Sequence, residues 1–367
     1  MPFFQFFSNL FKKSAHGTAR EVTGLAEKKA AHFPFDFDRW YPYLKPYTAP
    51  SIILPITPPI AQAMVNYYKT RYLNHHELTD EQINILERLE KQLRKELKRM
   101  PNPNGYFVRM SDRSPKDGNI LNKEKEFSID QIQLSLQTQD PNEQLIDLMD
   151  LQMQLLRCTN AEQILHLLLS SERVYSDLLL ALDCHAKIPH DHWSTSIVIR
   201  SWQPWLKQEH EFRIFVSGKT IRAISQYNSY CCYPQLIAQN QPPEQLSLID
   251  KISTYLAPLH TKIPFDNYTI DLAVSPDQIQ IIELNPFEHS TGTCLFFWAD
   301  DGALLSGESK ITAPELRIQT ELNPQAQELT KLILADLEAR LDTHEQSYKV
   351  WMDEHRNSPA EQQNLAF

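Results

Sequence analysis

The amino-acid sequence predicts an α+β protein of two lobes, in which antiparallel sheets are flanked by helices. The chain has 367 residues and a hydrophobic fraction of 42%, which is enough for a substantial core and favours two lobes over one. Two pairs of segments with alternating apolar residues, each pair joined by a short polar connection, predict β-hairpins. Leucines that recur at helical spacing, with charged residues on the opposite face, predict amphipathic helices.

The predicted helices and strands follow one another in a mixed order. A short apolar run that ends at Pro55 predicts a first strand. Thr79 and Gln82 form a capping-box pattern, so a helix begins there and continues to the turn that starts at Pro101. The remaining elements are a strand over 106–110, a loop over 119–141, helix over 142–184 with a cap at Asn160, a strand over 194–202, a helix over about 243–256 and an amphipathic helix from 323 to about 352.

The two predicted hairpins lie in the second half of the chain. The first pairs residues 211–216 with 220–227 around Ser217-Gly218-Lys219, and the second pairs 268–274 with 279–284. The predicted organisation is a flexible leader over 1–32, an N-terminal lobe with a helical insertion over 33–196, a C-terminal lobe with a metal site over 197–318, and a helical C-terminal extension and tail over 319–367.

Charge, hydropathy and cysteine usage narrow the class of protein. A net charge of −10 disfavours direct binding of nucleic acid. No stretch approaches the roughly 18–20 apolar residues that span a bilayer, so no transmembrane segment is predicted. The apolar start of the leader favours a flexible tail, with an amphipathic helix that docks on a membrane or a partner as the alternative. The five cysteines are odd in number and lack C-x-x-C spacing, which favours a reducing, cytoplasmic location. The adjacent Cys231 and Cys232 are predicted to be ordinary buried thiols, with a redox pair as the alternative.

The second hairpin carries the most informative polar residues. Asp271 lies on its first strand, and Glu283 and Asn285 share a face of its second strand. Three oxygen ligands on one surface, completed by water and phosphate, are how Mg²⁺ is usually held in nucleotide sites. Asp271 reaches the same face only if the connecting loop holds an odd number of residues, most simply Pro276-Asp277-Gln278. The alternative is that Asp271 and Glu283 are solvent-facing strand residues.

A basic loop follows the predicted strand at 106–110. Arg109, Arg113 and Lys116 surround a segment that contains serine, proline, Asp117 and glycine, and such a loop could hold phosphates. It is neither a P-loop nor a G-x-G-x-x-G turn. The alternative interpretation is a solvated charged loop.

Two arginines lie on predicted strands further along the chain. Arg200 precedes Trp202, and Arg213 shares a face with Glu211. An arginine within an otherwise apolar strand is costly unless it meets a carboxylate or a phosphate. A phosphate ligand is one solution, and an ion pair of Arg213 with Glu211 or Glu283 is the other.

Taken together, these segments resemble the cell division cycle protein 123 family. The similarity covers roughly residues 33–298 in six colinear blocks, and their order makes it specific. The blocks are Trp40-Tyr41-Pro42 with Ser51-Ile52-Ile53-Leu54-Pro55; the basic loop from Arg109 to Gly118 with its Ser-Pro-Lys-Asp; residues 161–178 with Ser170-Ser171-Glu172; the strands 198–202, 211–216 and 223–227; Ile282-Glu283-Leu284-Asn285-Pro286-Phe287; and Leu295-Phe296-Phe297-Trp298.

The resemblance implies an ATP-grasp-like fold with a nucleotide between its two lobes and with ATP and Mg²⁺ as cofactors. Arg109, Lys116 and Arg213 would face the phosphates, and residues 200–202 would line the hinge near adenine. The implied cofactor-binding residues are Arg109, Ser114, Lys116, Asp117, Arg200, Ser201, Trp202 and Arg213, and the implied metal ligands are Asp271, Glu283 and Asn285.

The resemblance also implies a partner. Members of the family assist assembly of translation initiation factor 2 by binding its gamma subunit, so an ATP-dependent assembly factor is expected. An ATP-grasp ligase or another nucleotide-dependent protein-modifying enzyme, acting on a different partner, is the alternative. Glu283 stands where some members have aspartate, which keeps the charge on a longer arm. The leader before Phe33 and the tail after about Ala313 lie outside the resemblance.

Overall fold

The computed structural model describes residues 32–75, 77–121, 129–187, 193–340 and 346–357. The predicted leader, apart from His32, lies outside the described residues, as does the tail from 358 onward. Within the described ranges, no helix is both long and apolar enough to cross a membrane.

The described residues form strands and helices in a mixed order. The strands are β1 (Ser51–Pro55), β2 (Tyr106–Met110), β3 (Arg157–Cys158), β4 (Ser196–Ser201), β5 (Glu211–Ser217), β6 (Thr220–Gln226), β7 (Tyr268–Val274), β8 (Ile279–Pro286) and β9 (Glu315–Arg317). The helices are α1 (Phe37–Leu44), α2 (Pro58–Tyr72), α3 (Asp80–Arg99), α4 (Ile129–Ser135), α5 (Pro141–Gln154), α6 (Ala161–Leu169), α7 (Glu172–Lys187), α8 (Pro234–Gln239), α9 (Glu244–Leu256), α10 (Trp298–Leu305), α11 (Ala326–Arg340) and α12 (Tyr348–Asn357).

The strands form two sheets. The first has the order β1-β4-β2-β3 and is antiparallel throughout. The second has the order β8-β7-β5-β6-β9 and is antiparallel except for the parallel pair of β6 with β9. A parallel bridge between Thr48 and Ile281 joins the segment before β1 to β8, so the edges of the two sheets meet.

Each sheet has its own hydrophobic core. The five-strand core is built on β5, β6, β7 and β8 and includes residues of α1, α5, α9 and α11. The four-strand core is built on β1, β2 and β4 and includes residues of α2, α3, α6, α7 and α12. Helices from the beginning and end of the chain thus pack in both cores, across the predicted boundaries at 196 and 318. The domain division itself stays a prediction.

Local signals placed several elements correctly. Thr79 and Gln82 form the predicted capping box at the start of α3. The side chain of Asn160 accepts a hydrogen bond from the Gln163 amide and caps α6. The predicted first hairpin is present, but Ser217 pairs with Thr220, so its turn holds only Gly218 and Lys219. Both have a φ of +59°, the conformation that two-residue hairpin turns favour.

Three predictions about helices were wrong. The predicted loop over 119–141 contains α4, whose Ile132 is buried in the five-strand core, so tertiary packing stabilises a helix in a polar sequence. The predicted helix over 142–184 is interrupted by β3, because Cys158 pairs with Tyr106 of β2. The predicted helix over 323–352 is two helices, α11 and α12, and residues 341–345 between them lie outside the described part of the chain.

The cysteines are all free thiols. Cys231 and Cys232 are buried, and burial raises the pKa of the Cys231 thiol to about 12. Neither residue has the low pKa of a reactive thiolate, so both are ordinary buried thiols.

Candidate functional site

A cavity of about 660 Å³ lies between the two sheets, within the size range of small-molecule sites. Strands of both sheets and the basic loop line it. The predicted site residues that line the cavity are Arg109, Ser114, Lys116, Arg200, Ser201, Trp202, Arg213, Glu283 and Asn285. Two predicted residues do not belong to this lining: Asp117 and Asp271.

The hairpin of β7 and β8 places Asp271 directly opposite Glu283. The predicted shared face is therefore confirmed, and Asn285 joins it by donating a hydrogen bond from Nδ2 to Asp271 Oδ2 at 3.2 Å. The predicted odd loop is wrong. The amide of Ser275 donates to the carbonyl of Gln278 at 2.8 Å, which leaves a turn of only two residues, 276 and 277.

A β-bulge resolves this difference. Asp271 pairs with Glu283, but its neighbour Leu272 pairs with Ile281, so Ile282 has no partner in the ladder. One extra residue in one strand exchanges the faces of all residues beyond it. With the bulge, a hairpin with a two-residue turn places Asp271 and Glu283 on the same face, as an odd loop would have done in a regular hairpin. Ile282 lines the cavity.

Asp271 is fully buried and is bound by Arg213. Nε and Nη2 of Arg213 donate to the two carboxylate oxygens, each at 2.8 Å, and its Nη1 donates to the Gly292 carbonyl at 2.7 Å. Burial raises the pKa of Asp271 and Arg213 opposes this rise. Arg213 thus forms an intramolecular ion pair, but with Asp271 rather than with Glu211 or Glu283 as the sequence had suggested.

Glu283 is bound by Arg109, which reaches across from β2. Arg109 Nη2 lies 2.6 Å from Glu283 Oε1, and the same nitrogen donates to the Asp112 carbonyl at 2.7 Å. Burial acts to raise the pKa of Glu283, but Arg109 outweighs it and the pKa is lowered. Glu283 is therefore a carboxylate at neutral pH, and the pair ties the two sheets together.

The basic loop separates two residues that the sequence placed together. Lys116 is exposed at the cavity, and its side chain forms no hydrogen bond or ion pair with any residue in the described ranges. Asp117 instead accepts hydrogen bonds from Ser171 Oγ at 2.6 Å and from the Arg173 amide at 3.0 Å, so it caps the start of α7. Gly118 lets the loop pass close to the end of α6, because a Cβ there would lie 2.4 Å from the Leu167 carbonyl oxygen.

Residues 200–202, which the resemblance placed at the hinge near adenine, connect the two sheets through Arg200. Arg200 donates from Nη1 to the Ile282 carbonyl at 2.9 Å and from Nη2 to Thr48 Oγ1 at 2.8 Å. The amides of Ser201 and Trp202 donate to the carbonyls of residues 50 and 105, respectively, so neither amide is free for a ligand. These two residues line the cavity with their other atoms.

Sequence reasoning missed several lining residues. One of them is Glu211, whose pKa is raised to about 8 by burial and then by repulsion from Asp271. The alternation that puts Glu211 on the face of Arg213 was a usable signal for it, since β5 faces the cavity. Arg173 on α7 and Gln280 on β8 line the cavity as well. No pattern in the sequence distinguished either of them from surface residues.

The lining has unmet hydrogen-bond donors. Arg173 Nε, Arg200 Nε and Gln280 Nε2 are buried and have no hydrogen-bond partner among the described residues. All three are donors and all belong to residues that line the cavity. Buried donors normally have a partner. The cavity therefore fits a ligand rich in acceptor oxygens, as a nucleotide with its phosphates is.

The metal ligands that the resemblance implied also fit a hard cation. Asp271, Glu283 and Asn285 share one face and carry oxygen donors of the kind that Mg²⁺ prefers. Glu283 Oε2 and Asn285 Oδ1 form no hydrogen bond with the described residues. Across the described ranges, no group of three or more histidine, cysteine, aspartate or glutamate side chains could hold a metal ion. Glu283 and Asn285 therefore offer oxygens at the cavity, whereas both oxygens of the buried Asp271 already accept hydrogen bonds from Arg213. Such a set suits an ion that keeps water or phosphate as further ligands.

Together, the fold and the cavity define an α+β protein with a small-molecule cavity between two antiparallel sheets. The D123 family model matches residues 148–337, which is more than half of the chain. The chain belongs to this family, which confirms the resemblance to the cell division cycle protein 123 family.

Relatives in three organisms are named "Translation initiation factor eIF2 assembly protein". The one from Schizosaccharomyces pombe is 30% identical over 179 residues, 44% of this chain and 50% of the relative. Those from Candida albicans and Dictyostelium discoideum are 28% and 30% identical over 155 and 149 residues, covering 40% and 39% of this chain and 42% and 36% of the relatives. The chain thus spans about half the length or less of these relatives.

A solved structure has a similar fold. Cdc123 from Schizosaccharomyces pombe aligns with a TM-score of 0.51 at 23% identity, over 79% of this chain and 96% of that chain. This likeness confirms the predicted α+β fold with antiparallel sheets. The ATP-grasp-like arrangement and the nucleotide between two lobes stay predictions.

Proposed function

We propose that the protein binds ATP and Mg²⁺ in the cavity between the sheets and acts as an ATP-dependent assembly factor for translation initiation factor 2, through its gamma subunit. The main observation behind this proposal is that residues lining the cavity carry three buried donors with no partner among the described residues, next to the carboxylate of Glu283. The names of the relatives support the choice of partner. A cytoplasmic location, predicted from the cysteine pattern, is part of this proposal.

Different residues of the cavity would bind the phosphates and the metal ion. Lys116, which has no ion-pair partner in the described structure, is available to phosphate oxygens without breaking another contact. Arg109 and Arg213 hold Glu283 and Asp271 in place. When bound, Mg²⁺ would neutralise phosphate charge, and Asp271, Glu283 and Asn285 would hold it.

Residues from both sheets surround this site, so a bound nucleotide contacts both. Arg200 and the pair Arg109–Glu283 already join the sheets. A ligand that adds contacts to both sheets favours the arrangement in which they are closed on each other. In an assembly factor, such closure would set the shape of the surface that the partner meets.

Calorimetry with and without Mg²⁺ tests nucleotide binding. We expect ATP to bind only with Mg²⁺, and Asn285→Ala to weaken that binding at least about tenfold, the loss of one charge-assisted contact. The exposed Asn104 offers a matched control, Asn104→Ala, which should bind as the wild type does. Equal ATP affinity in the wild type and Asn285→Ala, or no ATP binding by the wild type, contradicts the site.

A binding assay with purified gamma subunit of translation initiation factor 2 tests the partner. We expect capture by the wild type in ATP and Mg²⁺ and weaker capture by Asn285→Ala. Equal capture without ATP would mean that binding of the gamma subunit does not depend on the nucleotide. Transfer of labelled phosphate or AMP from ATP to a protein would favour the modifying enzyme over the assembly factor.

A further inference from the structure

Arg173 lines the cavity, and its guanidinium has no partner among the described residues. It lies in the first turn of α7, one turn before Asp177, and this spacing normally favours an ion pair. Asp177 is already occupied, because both of its oxygens accept hydrogen bonds from Arg113, one of them from Nε at 2.7 Å. Arg173 forms no side-chain hydrogen bond or ion pair within the described ranges, and its Nε is buried.

This arrangement is costly for the free protein. Burial, and then repulsion from Arg113, lowers the pKa of Arg173, yet a guanidinium keeps its charge at neutral pH. A partly buried charge without a partner destabilises the fold. An anionic ligand in the cavity would remove that cost.

A second cation whose side chain has no partner among the described residues lies at the same cavity. Lys116 and Arg173 both line it; Lys116 acts to lower the pKa of Glu283, on the predicted metal face, and Glu283 in turn acts to raise the pKa of Arg173. The two cations come from different elements, the basic loop and α7. Asp117 joins these elements, because it accepts a hydrogen bond from the Arg173 amide.

We infer that Arg173 and Lys116 together form an oxyanion subsite of the cavity that binds a phosphate group, and that Arg173 contacts the terminal phosphate of the nucleotide. Neither the sequence nor the family resemblance assigned Arg173 to a site. The identification of the phosphate as that of ATP rests on the proposed function, whereas the anion subsite itself does not.

Calorimetry with three probes, ATP, adenosine and inorganic tripolyphosphate, tests the subsite in Mg²⁺. Arg173→Gln should weaken binding of ATP and tripolyphosphate about ten- to a hundredfold, as loss of a charge-assisted contact does, and leave adenosine unchanged. Arg173→Lys should recover part of the loss. Arg88→Gln removes an exposed arginine on α3 and is the matched charge control, which should bind all three probes as the wild type does.

The outcomes separate this inference from the proposed function. If the wild type binds ATP and Arg173→Gln binds it equally well, the subsite is wrong and the proposed function stands. A second outcome is that tripolyphosphate binds and Arg173→Gln weakens its binding, while ATP binds no tighter than tripolyphosphate and adenosine does not bind. In that case the anion subsite is supported, and the proposal that the cavity is specific for a nucleotide is wrong. If the wild type binds neither ATP nor tripolyphosphate, both are wrong.

Thermal unfolding of the ligand-free protein distinguishes a binding role from a structural one. Arg173→Gln should leave the midpoint unchanged or raise it, because it removes an unpaired charge. Arg113→Gln should lower the midpoint, because it leaves Asp177 without its bidentate partner. A similar decrease in both variants would mean that Arg173 stabilises the fold and would overturn the inference.

Discussion

Asp271 and Glu283 face each other across the β7–β8 hairpin even though its turn holds only two residues, because Ile282 bulges out of the ladder. The bulge has a second consequence. The carbonyls of Ile281 and Ile282 are both used outside the hairpin, the first by Thr48 Oγ1 at 2.6 Å and the second by Arg200 Nη1 at 2.9 Å. One irregular residue thus aligns the carboxylate face and fastens the second sheet to the first.

Removal of Ile282 tests the role of the bulge. A variant that lacks this residue keeps both neighbouring pairs, Asp271 with Glu283 and Leu272 with Ile281, in a regular ladder. It loses the carbonyl that Arg200 binds, so we expect a folded protein whose free energy of unfolding in urea is lower by about 1.5–3 kcal/mol. In a double-mutant cycle, Arg200→Leu should cost less in the deletion variant than in the wild type. Additive losses would contradict the coupling.

Two substitutions on the metal face should differ in their effect on stability. Asp271→Ala leaves the buried guanidinium of Arg213 without its partner and should lower the free energy of unfolding by about 3–5 kcal/mol. Asn285→Ala removes one hydrogen bond of 3.2 Å and should cost about 1 kcal/mol or less. Urea denaturation measures both. A double change of Arg213→Met with Asp271→Leu should recover most of the loss, and a loss equal to that of Asp271→Ala alone would contradict the explanation.

Lys116 should discriminate between nucleotides by their phosphates. Because the ammonium group of Lys116 lies at the cavity and has no partner within the described ranges, Lys116→Ala should weaken binding of ATP about tenfold, weaken binding of ADP less, and leave binding of adenosine unchanged. Calorimetry measures the three affinities. Lys91→Ala, at an exposed position on α3, is the matched control. Equal losses for ATP, ADP and adenosine would mean that Lys116 does not contact the terminal phosphates.

Glu211 should give stability a specific dependence on pH. Burial and the neighbouring Asp271 raise its pKa from 4.5 to about 8 in the folded protein. Between these values the unfolded chain loses a proton that the folded protein keeps, so the free energy of unfolding decreases as pH rises through the window. Glu211→Gln should reduce this decrease.

Urea denaturation from about pH 5 to about pH 8 measures the effect. The exposed Glu244 provides the control, since Glu244→Gln should follow the wild type throughout. Parallel profiles for the wild type and Glu211→Gln would contradict the assignment. A cation bound beside Asp271 should lower the pKa of Glu211, so binding of Mg²⁺ with ATP near pH 7 should release a proton, measurable as buffer-dependent heat.

Local sequence signals predicted many of the helices and strands correctly. The caps at Thr79 and Asn160, the strands before and after the basic loop, and both hairpins follow from patterns within a few residues, because side-chain capping and backbone preferences act over that range. The short helix α4 and the two-residue strand β3 do not. Each exists because it packs or pairs with a segment far away in the chain.

The sequence by itself determined which polar residues occupy the strands and the basic loop, and their resemblance to one family selected nine of the residues that line the cavity. Only the tertiary structure decided which charges pair. Arg213 binds Asp271, Arg109 binds Glu283, and Arg113 binds Asp177, which leaves the Arg173 side chain without a partner in the described part of the chain. Several carboxylates compete for each arginine, and sheet register and helix placement select among them. That register depends on a bulge at Ile282, for which an alternating apolar strand gives no local signal.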